Sequence, residues 1–240
     1  MKRLILSATI IMSVLSMQAK TLIVYYSYTN NVESIVNELR TQIEADVIEV
    51  EPAEKGLDYA ANNYAIGSAQ IAAIRENPDD AASYPAIDPV NVDMTQYSTV
   101  IIGAPLWWSN MAAPMQTFLF QHGKEMAGKN IGLIVSSASS GISGVESDAK
   151  RLIPNGIFLE PSLWIRSSQT SNAKTLLQNW LQAIDYNNLA SGIGNIEPDH
   201  NTGFTVYSLS GVRLLADEDS TATLPAGLYI INGKKRLISR

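Results

Sequence analysis

The 240 residues are 46% hydrophobic and 17% charged, enough apolar content to bury a sizeable core, which argues against a disordered chain. The formal charge of −6 hides an asymmetry: residues 20–203 carry 10 Lys+Arg against 20 Asp+Glu (net −10), whereas residues 204–240 carry 5 against 3 (net +2), and so acidic a body argues against nucleic acid as a partner. The absence of cysteine removes disulfides, thiolate catalysis, iron–sulfur ligation and a lipid-bearing cysteine, and the two histidines, His122 and His200, form no metal-ligand spacing.

Lys2 and Arg3 precede an apolar segment from Leu4 to Leu15, followed by Ser16-Met17-Gln18-Ala19. Residues 1–19 are therefore expected to be a secretory signal peptide ending near Ala19. The apolar segment has twelve residues, short of the roughly 20 that span a bilayer as a helix. Extending it would consume the next strand and bury Lys20, so no membrane span is expected after cleavage, and the product is expected in the periplasm or outside the cell.

The apolar run 21–26 then breaks into Ser27-Tyr28-Thr29-Asn30-Asn31 and resumes with Val32, Ile35, Val36 and Leu39 at helical spacing, which predicts strand, loop and amphipathic helix. Residues 47–50 form a second β-type run stopped by Glu51-Pro52, and an Ala-rich, helical connection is expected between Tyr59 and Ile74. Residues 99–104 read as a strand buried on both faces, as do residues 131–136. Between them, Pro114 marks the start of a helix whose core side is Met115, Phe118 and Leu119. A less regular strand is expected from Phe158 to Ile165, and a closing helix from Ala173 to Ile184 with Leu176, Leu177, Trp180 and Leu181 inward. Alternation of strands and helices implies an α/β fold with five parallel strands and helices on both faces.

Such sheets bind ligands beyond the carboxyl ends of their strands, and three of those ends are unusual: residues 27–31, 105–111 and 137–144. Taken singly, each has a bland account. The first is also a capped helix start, Trp107 and Trp108 in the second are also core aromatics, and the third, with Gly141 and Gly144, is also a flexible turn permissive of positive φ. Together they place an anion cradle at a helix N-terminus, with Ser27 and Thr29 as hydroxyl donors, beside an aromatic platform and a small-residue backbone surface. That combination suits a flat, phosphorylated heterocycle. The sequence has no G-x-G-x-x-G, which argues against a dinucleotide, and no G-x-S-x-G, which argues against a serine hydrolase.

From Thr21 to about Tyr186 the chain resembles the flavodoxin-like FMN-binding proteins, in particular the bacterial branch whose second loop reads Pro-x-Trp-Trp. Its phosphate loop is matched by Ser27-Tyr28-Thr29-Asn30-Asn31-Val32, its second loop by Pro105-Leu106-Trp107-Trp108-Ser109-Asn110-Met111, and its Ser/Gly-rich third loop by residues 136–144, including Ser137, Ser139, Ser140 and Gly141. The resemblance implies strand order 2-1-3-4-5 and FMN as cofactor: phosphate on Ser27, Thr29, Asn30, Asn31 and Val32, the ring against Pro105, Trp107, Trp108, Asn110 and Met111, and its pyrimidine edge on the third loop. Asn30 stands where the family has Gly, a position Asn can fill in the left-handed conformation, and Val32 replaces a hydroxyl residue, leaving one donor fewer. The implied chemistry is the cofactor's, with no catalytic side chain and no metal required. The partner is then a redox protein docking on the acidic face, or NAD(P)H with a quinone-like acceptor. The competing reading is an exported, non-redox binding module that keeps this fold.

Residues 187–203 read as a polar linker. Beyond it, Phe204-Thr205-Val206-Tyr207 with Val212-Arg213-Leu214-Leu215, and Leu228-Tyr229-Ile230-Ile231 with Arg236-Leu237-Ile238 around Asn232-Gly233, predict two β-hairpins in a small module, residues 204–240. The pattern Val206-Tyr207-Ser208-Leu209-Ser210-Gly211, Leu224-Pro225-Ala226-Gly227-Leu228-Tyr229-Ile230 and Gly233-Lys234-Lys235 resembles the C-terminal sorting domain of the type IX secretion system, which implies passage across the outer membrane through that machinery; the competing reading is a β appendage of the main domain.

Overall fold

A computed structural model describes residues 20–190, 204–207, 213–217, 225–231 and 234–238. The expected signal peptide, most of the linker and the Asn232-Gly233 turn lie outside the described residues. The chain divides into two compact units, one up to residue 192 and one from residue 193.

In the first unit the elements run β1 (Lys20–Tyr25), α1 (Asn31–Leu39), β2 (Asp46–Glu49), α2 (Ala61–Glu76), β3 (Tyr97–Trp107), β4 (Asn110–Met111), α3 (Ala113–His122), β5 (Asn130–Ser137), α4 (Ser143–Leu152), β6 (Ile157–Phe158), β7 (Leu163–Arg166), α5 (Ala173–Ala183) and α6 (Tyr186–Ala190). β2, β1, β3 and β5 lie side by side in parallel, with β6 and β7 in turn along the far edge of β5. This is the expected order 2-1-3-4-5.

Each buried run alternates its side chains between two layers, as the period of a strand requires. Leu22, Val24, Val100, Ile102, Leu133 and Val135 face a core shared with α2, α3 and α4. Ile23, Tyr25, Ile101 and Ile134 face the opposite core, with Val32, Ile35, Val36 and Leu39 of α1 and Leu177 and Trp180 of α5. Leu176 and Leu181 are half-buried at the margin of that second core.

Two expectations are corrected. The fifth strand is not continuous from 158 to 165. Between the pairs Ile131↔Phe158 and Ile134↔Leu163 it spends two more residues than β5 does, so the chain loops outward there. Pro161, at the centre of that loop, has no N–H to give to a ladder, and its carbonyl instead accepts the Trp180 indole N–H at 2.8 Å. Second, the Ala-rich helix of the long connection is broken at its start. Asn62, Asn63 and Tyr64 are all left-handed (φ 49°, 56° and 63°), and the regular helix follows them.

The second unit contains β8 (Phe204–Tyr207), β9 (Arg213–Asp217), β10 (Gly227–Ile231) and β11 (Lys234–Ile238) in one antiparallel sheet, ordered β11-β10-β8-β9. The two expected hairpins are present, and pairing of β10 with β8 joins them. No described helix in either unit is long and apolar enough to cross a membrane.

Candidate functional site

β1 and β3 are adjacent but their connections leave in opposite directions, so the sheet's switch point lies beyond the carboxyl ends of these two strands. The loop after β1 reaches it first. Asn30 is left-handed (φ 60°) and its carbonyl accepts the Ser34 N–H, which starts α1. Asn is among the few side-chain-bearing residues that take this conformation readily, so the turn forms without Gly.

Two hydroxyls of this loop act as acceptors within it. Ser27 Oγ accepts the Glu33 N–H at 3.2 Å, and Thr29 Oγ1 accepts from Asn31 Nδ2 at 3.0 Å. Because each hydroxyl is already an acceptor, its single O–H is left for a further acceptor. The Thr170 hydroxyl, which donates to the Ser167 carbonyl at 3.0 Å, shares its proton with Asn31 Oδ1 at 3.3 Å. Val32 contributes no polar side chain: it is 1% exposed, and its Cγ1 fills the space over Gly103, where a Cβ would lie 3.0 Å away. Packing α1 against the sheet accounts for an apolar residue here.

The second loop is a hairpin rather than an open loop. β3 continues to Trp107, turns through Trp108 (φ 46°) and Ser109 (φ 65°), and returns as β4, pairing Leu106 with Met111 and Trp107 with Asn110. Two positive φ values in a two-residue turn are the type I′ geometry, normally supplied by Asn and Gly. With Trp and Ser the turn is strained, by about 1–2 kcal/mol per residue. Trp107 sits at the centre of an aromatic cluster, with Tyr59 at 4.8 Å, Tyr26 at 5.7 Å, Trp108 at 6.4 Å and Tyr28 at 6.5 Å between ring centroids. Trp108 remains 40% exposed. Burial, then the charge of neighbouring phenols, raises the Tyr26 pKa far above the ordinary tyrosine range, and burial raises that of Tyr59, so both rings stay neutral.

Asn110 and Met111 line neither of the two cavities described below. Met111 is fully buried and its N–H donates to Asp148 Oδ2 at 2.9 Å; Asn110 donates its Nδ2 to the same oxygen, also at 2.9 Å. In the third loop Ser137 is buried, donating to the Ser140 carbonyl at 2.9 Å and accepting the Trp164 indole N–H at 2.8 Å. Ser139, Ser140 and Gly141 are exposed and line neither cavity described next. Gly141 and Gly144 are not at positive φ. What Gly144 provides is room: a Cβ there would lie 1.8 Å from the Ser109 carbonyl oxygen.

Two adjoining cavities open at the switch point. The smaller, about 120 Å³, is polar and lined by Ser27, Thr29, Asn31, Val32, Pro105, Ser136, Ser137 and Ser167 among others. The larger, about 370 Å³, is walled by Tyr59, Tyr64, Gly67 and Trp108. Tyr28, Thr29, Leu106, Trp107 and Ala138 line both. A third cavity of about 390 Å³ lies at the opposite end of β1, around Lys20, Thr21, Asp46 and Tyr186. Its volume is comparable, but it adjoins the amino ends of the strands, away from the switch point where open α/β sheets bind their ligands. Among the described residues no group of three or more His, Asp or Glu is placed to hold a metal ion.

Several wall residues were not anticipated. Ser167 comes from the 3₁₀ turn after β7, and Tyr59, Tyr64 and Gly67 from the long connection. The connection is latched to the first loop by Tyr28, whose hydroxyl donates to Asp58 at 3.0 Å and accepts the Ala60 N–H at 3.0 Å. The one signal in the sequence was the concentration of tyrosine at positions 26, 28, 59 and 64.

Comparison with known proteins gives a consistent result. A family profile described as flavodoxin matches residues 20–184. Among solved structures, a candidate flavoprotein from Bacteroides eggerthii superimposes with a TM-score of 0.55 at 22% identity, covering 70% of this chain and 98% of that one. A second, from Bacteroides uniformis, gives 0.53 at 22% identity over 67% and 98% of the two chains. A flavoprotein from Lactobacillus acidophilus, solved in complex with FMN, gives 0.51 at 22% identity over 65% and 99%. No curated protein matches.

Proposed function

The chain belongs to the flavodoxin family, and on that premise we propose that it binds FMN and serves in electron transfer or NAD(P)H-dependent reduction. The observation that carries this reading is the pair of adjoining cavities: a small one with hydroxyls at the N-terminus of α1, and a larger one walled by aromatic rings. Ser27, Thr29 and the first-turn amides of α1 would hold the phosphate, helped by the helix dipole. Trp107 and Trp108 would flank the ring system and, with Tyr28 and Tyr59, keep water from it. FMN supplies the redox chemistry once bound, and the acidic body disfavours added negative charge on it.

The test is a titration of the full chain with FMN and with riboflavin, which lacks the phosphate. Wild type is expected to prefer FMN. Thr29→Val keeps the side chain's shape and removes its hydroxyl, so FMN affinity should fall about tenfold, the loss of one charge-assisted hydrogen bond, while riboflavin affinity stays within about twofold. Equal losses for both would place the phosphate elsewhere; absence of flavin binding by wild type would favour the non-redox module. Steady-state oxidation of NAD(P)H with a quinone then separates a reductase from an electron carrier.

We also propose that the protein is exported and that residues 204–240 direct its sorting. Support comes from the leader-like residues 1–19 and from the tail pattern around Val206-Tyr207 and Leu228-Tyr229-Ile230. Cells expressing the chain with and without residues 204–240 should differ in where it accumulates; an unchanged distribution would count against the sorting role.

A further inference from the structure

The strained Trp108–Ser109 turn is gripped from two sides by elements distant in sequence. From α2, Arg75 donates its Nε–H to Asn110 Oδ1 at 2.7 Å and an Nη2–H to the Trp108 carbonyl. From α4, the buried Asp148 accepts Asn110 Nδ2 and the Met111 N–H, both at 2.9 Å. The Asn110 amide thus bridges a group that can only donate and one that, ionised, can only accept, which fixes its orientation. Gln116 of α3 donates to the Met111 carbonyl at 2.7 Å, and Arg151 ties Gln116 (2.9 Å) and Asp148 (3.4 Å) together behind it.

The Asp148 side of this grip is buried and anchors the hairpin in the core. The Arg75 side is exposed and touches the turn where its backbone is left-handed. Left-handed Trp and Ser persist only where surroundings over-determine them. The same helix also meets the Trp108 ring: a Cβ at Gly67 would lie 3.1 Å from Trp108 Cζ3, and Tyr64 approaches its edge with centroids 6.5 Å apart. Ring and carbonyl of Trp108 are therefore both referenced to α2.

We propose that Arg75 is a positioning residue for the aromatic wall, holding the Trp108 ring over the larger cavity by fixing the Trp108 carbonyl and the Asn110 amide. Arg75 lines neither cavity and acts through the Trp108 carbonyl and the Asn110 amide. Its effect on ligand rests on the flavin reading above; its effect on the ring does not.

The experiment uses the full chain as wild type, Arg75→Met, which keeps the apolar stem and removes every donor, and Arg75→Lys, each also in a Trp108→Phe background. Without flavin, Arg75→Met should alter the near-ultraviolet circular dichroism and increase acrylamide quenching of tryptophan emission, and both changes should vanish in the Trp108→Phe background. With flavin, FMN and riboflavin should weaken in parallel by about tenfold, unlike the phosphate-selective Thr29→Val, with Arg75→Lys recovering part of the loss. Unchanged ring signals in Arg75→Met overturn the proposal. So do wild-type affinities for both flavins, even if the melting temperature falls, since that would make Arg75 structural only. If wild type binds no flavin, the FMN reading fails while the ring signals still decide the role of Arg75.

Discussion

Alanine at position 144 should loosen the aromatic hairpin and destabilise the protein together. Its Cβ would stand 1.8 Å from the Ser109 carbonyl oxygen and 2.9 Å from the carbonyl carbon, both backbone atoms that cannot rotate away. Relief requires α4 to retreat from the turn, but Asp148 on the same helix holds Met111 N–H and Asn110 Nδ2. Retreat would stretch both bonds and leave a buried carboxylate and a buried amide poorly paired. The cost expected for Gly144→Ala is about 2–3 kcal/mol, the upper part of the usual range for overpacking. For a domain of this size that lowers the melting temperature by roughly 5–10 °C. FMN affinity should fall with it, because the displaced turn carries Trp108. A thermal melt and a flavin titration on the same preparation check this; a wild-type melting temperature would mean that α4 and the hairpin can separate freely.

Trp107→Ala should produce the largest loss of ligand binding. Trp107 meets four aromatic neighbours and lines both cavities, so its removal opens the cluster and takes away the shared wall. Because the ring is half-buried, the stability cost is expected below that of a fully buried Trp, about 2–3 kcal/mol. FMN and riboflavin should both weaken by on the order of 100-fold, since the loss lies on the ring side. Trp108→Ala is the informative contrast. At 40% exposure its ring supports the core little, so the melting temperature should barely move while flavin affinity drops. Wild-type flavin affinity in Trp107→Ala would remove the larger cavity as the ring's place.

Much of this architecture was legible locally. The faces of α1 and α5 and the two-sided burial of β1, β3 and β5 follow from periodicity, which reports how a side chain points relative to its own element. Asn30, matched by resemblance to a Gly position and able as Asn to take the left-handed conformation, is found there at φ 60°. Trp108 and Ser109 could not be placed in this way. Neither residue favours positive φ, and the forces imposing it come from Arg75, Gly144 and Asp148, more than 30 residues away along the chain.

The division of labour is therefore physical. Composition, burial periodicity and three loop motifs determined that the chain folds as a parallel α/β sheet with a hydroxyl-bearing helix start and paired tryptophans beyond its strand ends. Those are properties of single elements. Whether a serine in a loop faces a ligand is a property of several. Only the packed structure put Ser167 into the polar cavity, withdrew Met111 and Asn110 into a hydrogen-bonded anchor, and turned the Gly144 position into a close contact with a backbone carbonyl. Each outcome depends on which distant helix lies against the loop, and local patterning does not encode that choice.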